Sequence, residues 1–298
     1  MNVLSLFDGI SCGRLALERA GIKVDKYYAS EIEPNAIKVT QHHYPDTIQL
    51  GDVTKIDFNQ FKGKIDLLIG GSPCTDMSIA KANREGLRGA HSKLFFTYVK
   101  ARDIIQPKYF LLENNYSMSK EACDEITSIM GVEPIMINSS LVSAQSRKRL
   151  YWTNIPNVTQ PEDKGILLKD IIESGTVDRD KSLCLVRRYA GFQGSQSYLC
   201  RRYFGKSFGQ AVFEGDIDAI KARWKANDYF ESDDINIRPL TCLECERLQT
   251  LPDNYTDVGI SENARKEAIG NGWTVDVIAH IFNFINKGEE ECQQCSII

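Results

Sequence analysis

Gly70-Gly71-Ser72-Pro73-Cys74 follows directly on a short apolar run that reads as a strand. A thiol just past a glycine pair and a proline is placed for chemistry rather than for core packing. The next strand-like run ends in Glu113-Asn114-Asn115, so a thiol and a carboxylate can face one crevice. A thiolate adds to an electron-poor ring carbon, and a carboxylic acid protonates a ring nitrogen as that addition proceeds. None of the four histidines, His42, His43, His91 and His280, stands in a comparable place. That weakens a cysteine–histidine protease reading.

A second constellation lies nearer the start. Phe7-Asp8-Gly9-Ile10-Ser11-Cys12-Gly13 follows one strand and opens a helix; its glycines permit a tight turn and close backbone approach, and its amides favour anionic groups. The spacing is not G-x-G-x-x-G, so a nicotinamide or flavin site is not indicated. Glu31 ends the next strand about 20 residues on, where a carboxylate can accept both hydroxyls of a ribose. Asp52 follows a third strand in Gly51-Asp52 and can accept from an adenine amino group. Three such strand ends indicate a nucleoside cofactor.

These residues require a scaffold of alternating strands and helices. Strands are expected at 3–7, 27–30, 48–50, 65–69, 109–112 and 135–137, and helices at 13–20, 35–43, 92–105 and 120–130. That alternation predicts an α/β domain with a mainly parallel sheet and ligands beyond the carboxyl ends of its strands. From about 157 to 237 the pattern weakens into glycine, aromatic and arginine residues, with a short hairpin expected within 205–213. Residues 179–206 hold seven basic side chains against one acidic, Asp180, although the whole chain carries a formal charge of -4. A local basic surface of this kind suffices to follow phosphates. Two further helices, 261–269 and 274–286, are broken by Gly270-Asn271-Gly272. The expected organisation is a catalytic and cofactor-binding domain at 1–156, a small target-recognition domain at 157–237, and a return segment at 238–298 that completes the first domain.

The 298 residues suffice for a large core, and no apolar run near 18 residues suggests a membrane span. Nine dispersed cysteines and an opening without a targeting pattern point to a reducing cytoplasm. Cys242-x-x-Cys245 and Cys292-x-x-Cys295 have knuckle-like spacing, yet 46 residues separate them. No metal site is expected.

The order of these motifs resembles that of the DNA (cytosine-5)-methyltransferases over nearly the whole chain. Residues 7–13 resemble the family's first cofactor motif, Glu31 its ribose acid and Asp52 its adenine acid. Pro73-Cys74 resembles the catalytic pair, Glu113-Asn114 the second catalytic motif, and Gln145-Ser146-Arg147-Lys148-Arg149 the basic motif ahead of the recognition domain. Arg238-Pro239-Leu240-Thr241 with 244–249 resembles the motif that supports recognition, and Gly270-Asn271-Gly272 with Val275 the motif that returns to the cofactor. Residues 3–9, 29–31 and 70–74 also resemble the catalytic domain of the animal de novo enzymes, within a chain the length of a compact bacterial or phage-borne member. Ser11-Cys12 stands where many bacterial members carry a small residue and glycine, and Asn115 where valine is usual.

The resemblance implies an S-adenosylmethionine-dependent methyltransferase fold and the transfer of a methyl group to C5 of a cytosine flipped out of double-stranded DNA. Cys74, Glu113 and Arg147 become the catalytic residues, with Arg147 on the base O2. The implied cofactor set is Phe7, Asp8, Gly9, Ile10, Ser11, Cys12, Gly13, Glu31, Ile32, Asp52, Val53, Gly71, Pro73, Asn271, Trp273 and Val275. DNA would be met by Ser72, Asn114, Gln145, Arg149, Arg187, Arg188, Arg201 and Arg202, and the loop 75–90 would close over it. The expected enzyme acts as a monomer on DNA, and belongs either to a restriction-modification system, with a companion restriction endonuclease encoded nearby, or to a phage or prophage as a solitary methylase. The rival readings are a tRNA cytosine-5 methyltransferase and a non-catalytic DNA-binding module.

Overall fold

A computed structural model describes residues 1–71, 92–206, 209–226 and 236–295. It divides the chain into two compact units. The first comprises Met1–Asn138, Lys148–Pro161 and Val275–Ile298, and the second Ser139–Arg147 and Glu162–Thr274. These divisions differ from the three expected segments: 139–147 and 238–274 pack with the central stretch.

The first unit is built on strands β1 (Asn2–Leu6), β2 (Lys26–Ser30), β3 (Ile48–Gln49), β4 (Leu67–Gly71), β5 (Tyr109–Asn115), β6 (Ile135–Asn138) and β7 (Lys148–Thr153). They form one sheet in the order β3-β2-β1-β4-β5-β7-β6. Only β7 runs antiparallel to its neighbours, β5 and β6. The mainly parallel α/β architecture expected from the sequence is therefore present. β7 itself was not anticipated, because the basic pair at its start obscures the apolar run 150–152 that follows.

Leu4, Leu6, Leu68, Leu112 and Trp152 from alternate strand positions join Phe95 and Tyr98 of helix α3 (Ser92–Ile105) and Ile126 of α4 (Lys120–Met130) in one core. The intervening Val3, Leu67, Ile69 and Leu111 are fully buried too. Both faces of the central strands are thus covered, as a parallel sheet requires. Helix α1 (Cys12–Arg19) packs with α9 (Val275–Cys295), whose apolar Val275, Val277, Ile278, Ile281, Phe282 and Ile285 are buried. Helix α2 (Pro34–His43) begins with its proline in the first turn, where the missing N–H costs nothing.

In the second unit, α5 (Gln196–Lys206), α6 (Ile217–Lys225), α7 (Cys242–Leu248) and α8 (Glu262–Asn271) accompany a two-stranded sheet. Its strands, β8 (Ala211–Phe213) and β9 (Ile237–Pro239), pair antiparallel. The hairpin expected within 205–213 is not formed: α5 continues to Lys206, and β8 takes its partner from 237–239. The Tyr189 hydroxyl ties this region together, donating to Gln210 O at 2.6 Å and accepting from Leu240 N–H at 2.6 Å. In α7, Arg238 forks onto Glu244, and Arg265 pairs with Glu246; both carboxylates are fully buried. No helix among the described residues is long and apolar enough to cross a membrane.

Candidate active site and cofactor crevice

Strand register brings the expected site residues of the first unit into one row. Leu6 is aligned with Ser30 on one side and Gly70 on the other, Gly70 with Leu112, and Gly71 with Glu113. The carboxyl ends of β2, β1, β4 and β5 therefore lie level. The loop 7–13, Glu31, Gly71 and Glu113 all sit on that edge. Gly70 allows the close strand–helix approach beneath it, since a Cβ there would stand 3.0 Å from Leu6 O and from the Tyr98 ring.

The cofactor loop leaves β1 through left-handed backbone at Phe7 (φ 61°), Gly9 (φ 61°) and Ser11 (φ 58°). Asp8 N–H donates to Ser30 O at 3.1 Å, which holds the loop against the end of β2. Glu31 receives Gly9 N–H at 2.8 Å on one oxygen and Ile32 and Glu33 N–H at 2.7 and 2.9 Å on the other. Ser30 Oγ donates to Gly51 O at 2.7 Å and so fixes the third strand end. There, Asp52 accepts from the Thr54 amide and hydroxyl at 3.0 and 2.8 Å, and these bonds hold it below the usual carboxylate range. Val53 is buried beside it.

The Asp8 carboxyl is held by Tyr27, whose hydroxyl donates at 2.8 Å, and by Ser11. Burial pushes its pKa up to about 6, against the lowering effect of those bonds. Three features fit a nucleoside-bearing group. The position where Gly9 would carry a Cβ is open space, the Glu31 carboxylate stands at the crevice, and Ile32 is 67% exposed, which is unusual for isoleucine and suits the face of a flat base. Ile10, Ser11 and Cys12 are buried within the loop. Val275 is likewise fully buried. Asn271 and Trp273 belong to the second unit.

Glu113 forms an ion pair with Arg149, Nε to Oε1 at 2.8 Å, and both side chains are largely buried. Antiparallel pairing of β5 with β7 sets Asn115 opposite Arg149 and so brings the guanidinium to the carboxylate. Asn114 is 1% exposed, its Oδ1 accepting Asn115 N–H at 2.7 Å. That bond braces the strand end. Ser72, Pro73 and Cys74, with the loop 75–90, lie outside the described residues.

Two expectations are corrected in the second unit. Gln145 has no exposed surface: its amide nitrogen donates to Leu248 O and Gln249 Oε1, and its oxygen accepts Leu185 N–H at 2.9 Å. It is a core crosslink and not a DNA contact. Arg147 is 6% exposed and turned onto the carbonyls of Leu185, Gly270 and Gly272 at 2.6, 3.4 and 3.0 Å. Its guanidinium is occupied in holding its own unit, whereas Arg149 is the arginine at Glu113. Of the expected DNA contacts, Arg187, Arg188 and Arg201 reach the surface and Arg202 is half-buried. Arg187 and Arg188 lie in a short 3-10 turn, and Arg201 and Arg202 on α5.

A doubly covered α/β sheet thus carries the loop 7–13, Glu31 and the Glu113–Arg149 pair along one edge. Residues 1–174 and 193–287 match the family described as C-5 cytosine-specific DNA methylase, and the chain belongs to that family. It is 32% identical over 192 residues to the orphan methyltransferase M.SPRI of Bacillus phage SPR, a match covering 59% of this chain and 43% of the relative. The matched stretch thus spans less than half of that phage protein. Similarity to the type II methyltransferase M.Eco47II of Escherichia coli is 26% across 96% of this chain and 80% of the relative. Among solved structures, the S. pombe Dnmt2 methyltransferase superposes with a TM-score of 0.68 at 18% identity, covering 96% of this chain and 99% of that one. An Entamoeba histolytica methyltransferase gives 0.70 at 16% identity, covering 97% and 98%. At these identities the structures bear on the fold alone.

Proposed function

We propose that the chain transfers a methyl group from S-adenosylmethionine to C5 of cytosine in double-stranded DNA. The observation that carries this reading is the level row of strand ends, which sets the nucleoside crevice beside Gly71 and the Glu113–Arg149 pair. Glu31 would hold the ribose of the cofactor, and Asp52 and Ile32 its adenine. When bound, the cofactor supplies an electrophilic methyl group. The chain's own residues make C5 a nucleophile: the Cys74 thiolate adds at C6, the ring electrons shift toward C5 and N3, and Glu113 holds the proton at N3. After methylation, loss of the C5 proton and expulsion of Cys74 restore the aromatic ring. Arg149, rather than Arg147, orients Glu113 and is the guanidinium available to the base. The basic surface of 179–206 would follow the DNA backbone, and recognition of the target sequence falls to 157–237. The setting that suits this activity is the cytoplasm of a bacterium or an infected cell, with the chain acting as a monomer on DNA, alone or beside a companion endonuclease.

Transfer of tritiated methyl groups to duplex DNA, with tRNA as the competing acceptor, tests the reading. Incorporation as 5-methylcytosine in DNA supports it; incorporation in tRNA alone, or in neither, overturns it.

A further inference from the structure

Ser11 occupies an unfavourable backbone conformation for a residue with a Cβ, left-handed at φ 58°, and it does so with no exposed surface. Its hydroxyl lies between Asp8 Oδ2, to which it donates, and Thr40 Oγ1 at 3.0 Å. With the Ser11 proton on Asp8, Thr40 is the donor in that bond, and Asp8 is secured from β2 by Tyr27. The chain of bonds Tyr27–Asp8–Ser11–Thr40 crosses the loop from one neighbouring element to another. It encloses the glycine whose amide meets Glu31. We propose that Ser11 is a positioning residue whose hydroxyl, through Asp8 and Thr40, latches the loop 7–13 in the left-handed shape that admits the cofactor. The inference rests on the assignment of this crevice to S-adenosylmethionine.

The latch acts on conformation, and this makes it separable from direct contact. Alanine at position 11 loses the hydroxyl bonds and keeps the steric cost of positive φ, so the loop leaves its binding shape for most of the time. Apparent affinity falls in proportion to the fraction of competent loop. Glycine loses the same hydroxyl but adopts positive φ freely. The smaller residue should therefore bind cofactor better than alanine does.

The experiment is isothermal titration of S-adenosylmethionine into the ligand-free full chain, as wild type, Ser11→Ala and Ser11→Gly, with the thermal midpoint of each protein measured without ligand. Ser11→Ala is expected to bind about tenfold more weakly, and Ser11→Gly to recover at least about threefold of that loss. Equal weakening in both variants, or wild-type affinity in Ser11→Ala, overturns the latch while leaving the crevice assignment standing. If Ser11→Ala does not fold, Thr40→Val, which removes the far end of the latch and leaves Ser11 in place, is titrated instead: affinity lowered about threefold or more supports the latch, and wild-type affinity overturns it. A folded wild type that binds no S-adenosylmethionine overturns the crevice assignment and the latch with it.

Discussion

Asp8 keeps a carboxyl in a place where ionisation is costly, and removing that charge should stabilise the protein in a way that depends on pH. The residue's ordinary pKa of 3.8 rises to about 6 in the fold, chiefly through burial and against bonds from Ser11, Ser5 and Tyr27, with the like charge of Glu31 acting in the same direction as burial. Between those two values the native chain binds more protons than the unfolded chain, so this group's contribution to stability is intact below pH 4 and is lost as pH rises through about 6. A displacement of that size is worth at most about 3 kcal/mol, and the part of Asp8 that remains open to solvent lowers the figure toward about 1–2 kcal/mol. Asp8→Asn retains the acceptor for Tyr27 and a polar partner for Ser11 without the charge. Its thermal midpoint should match wild type near pH 4 and exceed it by roughly 2–4 °C at pH 7.5. Differential scanning fluorimetry of both proteins at half-unit steps between pH 4 and 8 measures this difference. A constant difference across the range, or a variant less stable than wild type at pH 7.5, would refute the reasoning.

The two arginines of the basic motif should separate in their effects. Arg147→Ala removes the guanidinium from the Leu185 and Gly270 carbonyls, while Gly272 O keeps Gln249 Nε2, and should lower stability by about 1–3 kcal/mol, measured by chemical denaturation, whereas Arg149→Ala should leave a folded protein whose methyl transfer falls about 10²–10³-fold. Glu31→Ala should weaken S-adenosylmethionine binding by about 1.5–3 kcal/mol in calorimetry, with DNA affinity in gel-shift titrations much less affected. Single alanine substitutions of Arg187, Arg188, Arg201 and Arg202 should each reduce the salt slope of DNA binding by about one where the side chain meets a phosphate. Where it reads guanine instead, the variant should lose about 1–3 kcal/mol of discrimination between cognate and scrambled duplexes. Unchanged slopes and discrimination in all four variants would move recognition away from this surface.

Strands β1 to β6 were legible because they are short apolar runs closed by turn residues, and Glu31, Asp52 and Glu113 fall at or just past the ends of those runs in the sequence. Direction was not legible. Arg147 and Arg149 are the same residue type two positions apart, and only the pairing of β5 with β7 assigns one of them to Glu113. Gln145 looks like a DNA-contacting amide in sequence, but Leu248, Gln249 and Leu185, the first two about a hundred residues away, enclose it. Helix α5 was hidden because Gly205 and a run of aromatic and basic residues resemble a loop. Its buried face, Leu199, Cys200 and Tyr203, emerges only once the helix is wound.

The central claim is that Cys74 adds covalently to a cytosine that Glu113 holds. The most direct measurement uses duplex DNA with 5-fluorocytosine at the methylated position, incubated with the protein and S-adenosylmethionine. Fluorine cannot leave as the C5 proton does, so the addition cannot be undone after methyl transfer. A denaturation-resistant protein–DNA adduct mapped by mass spectrometry to Cys74, absent in Cys74→Ser and dependent on the cofactor, is the predicted result. Formation of 5-methylcytosine by the Cys74→Ser variant, or an adduct attached to a residue other than Cys74, would contradict the account.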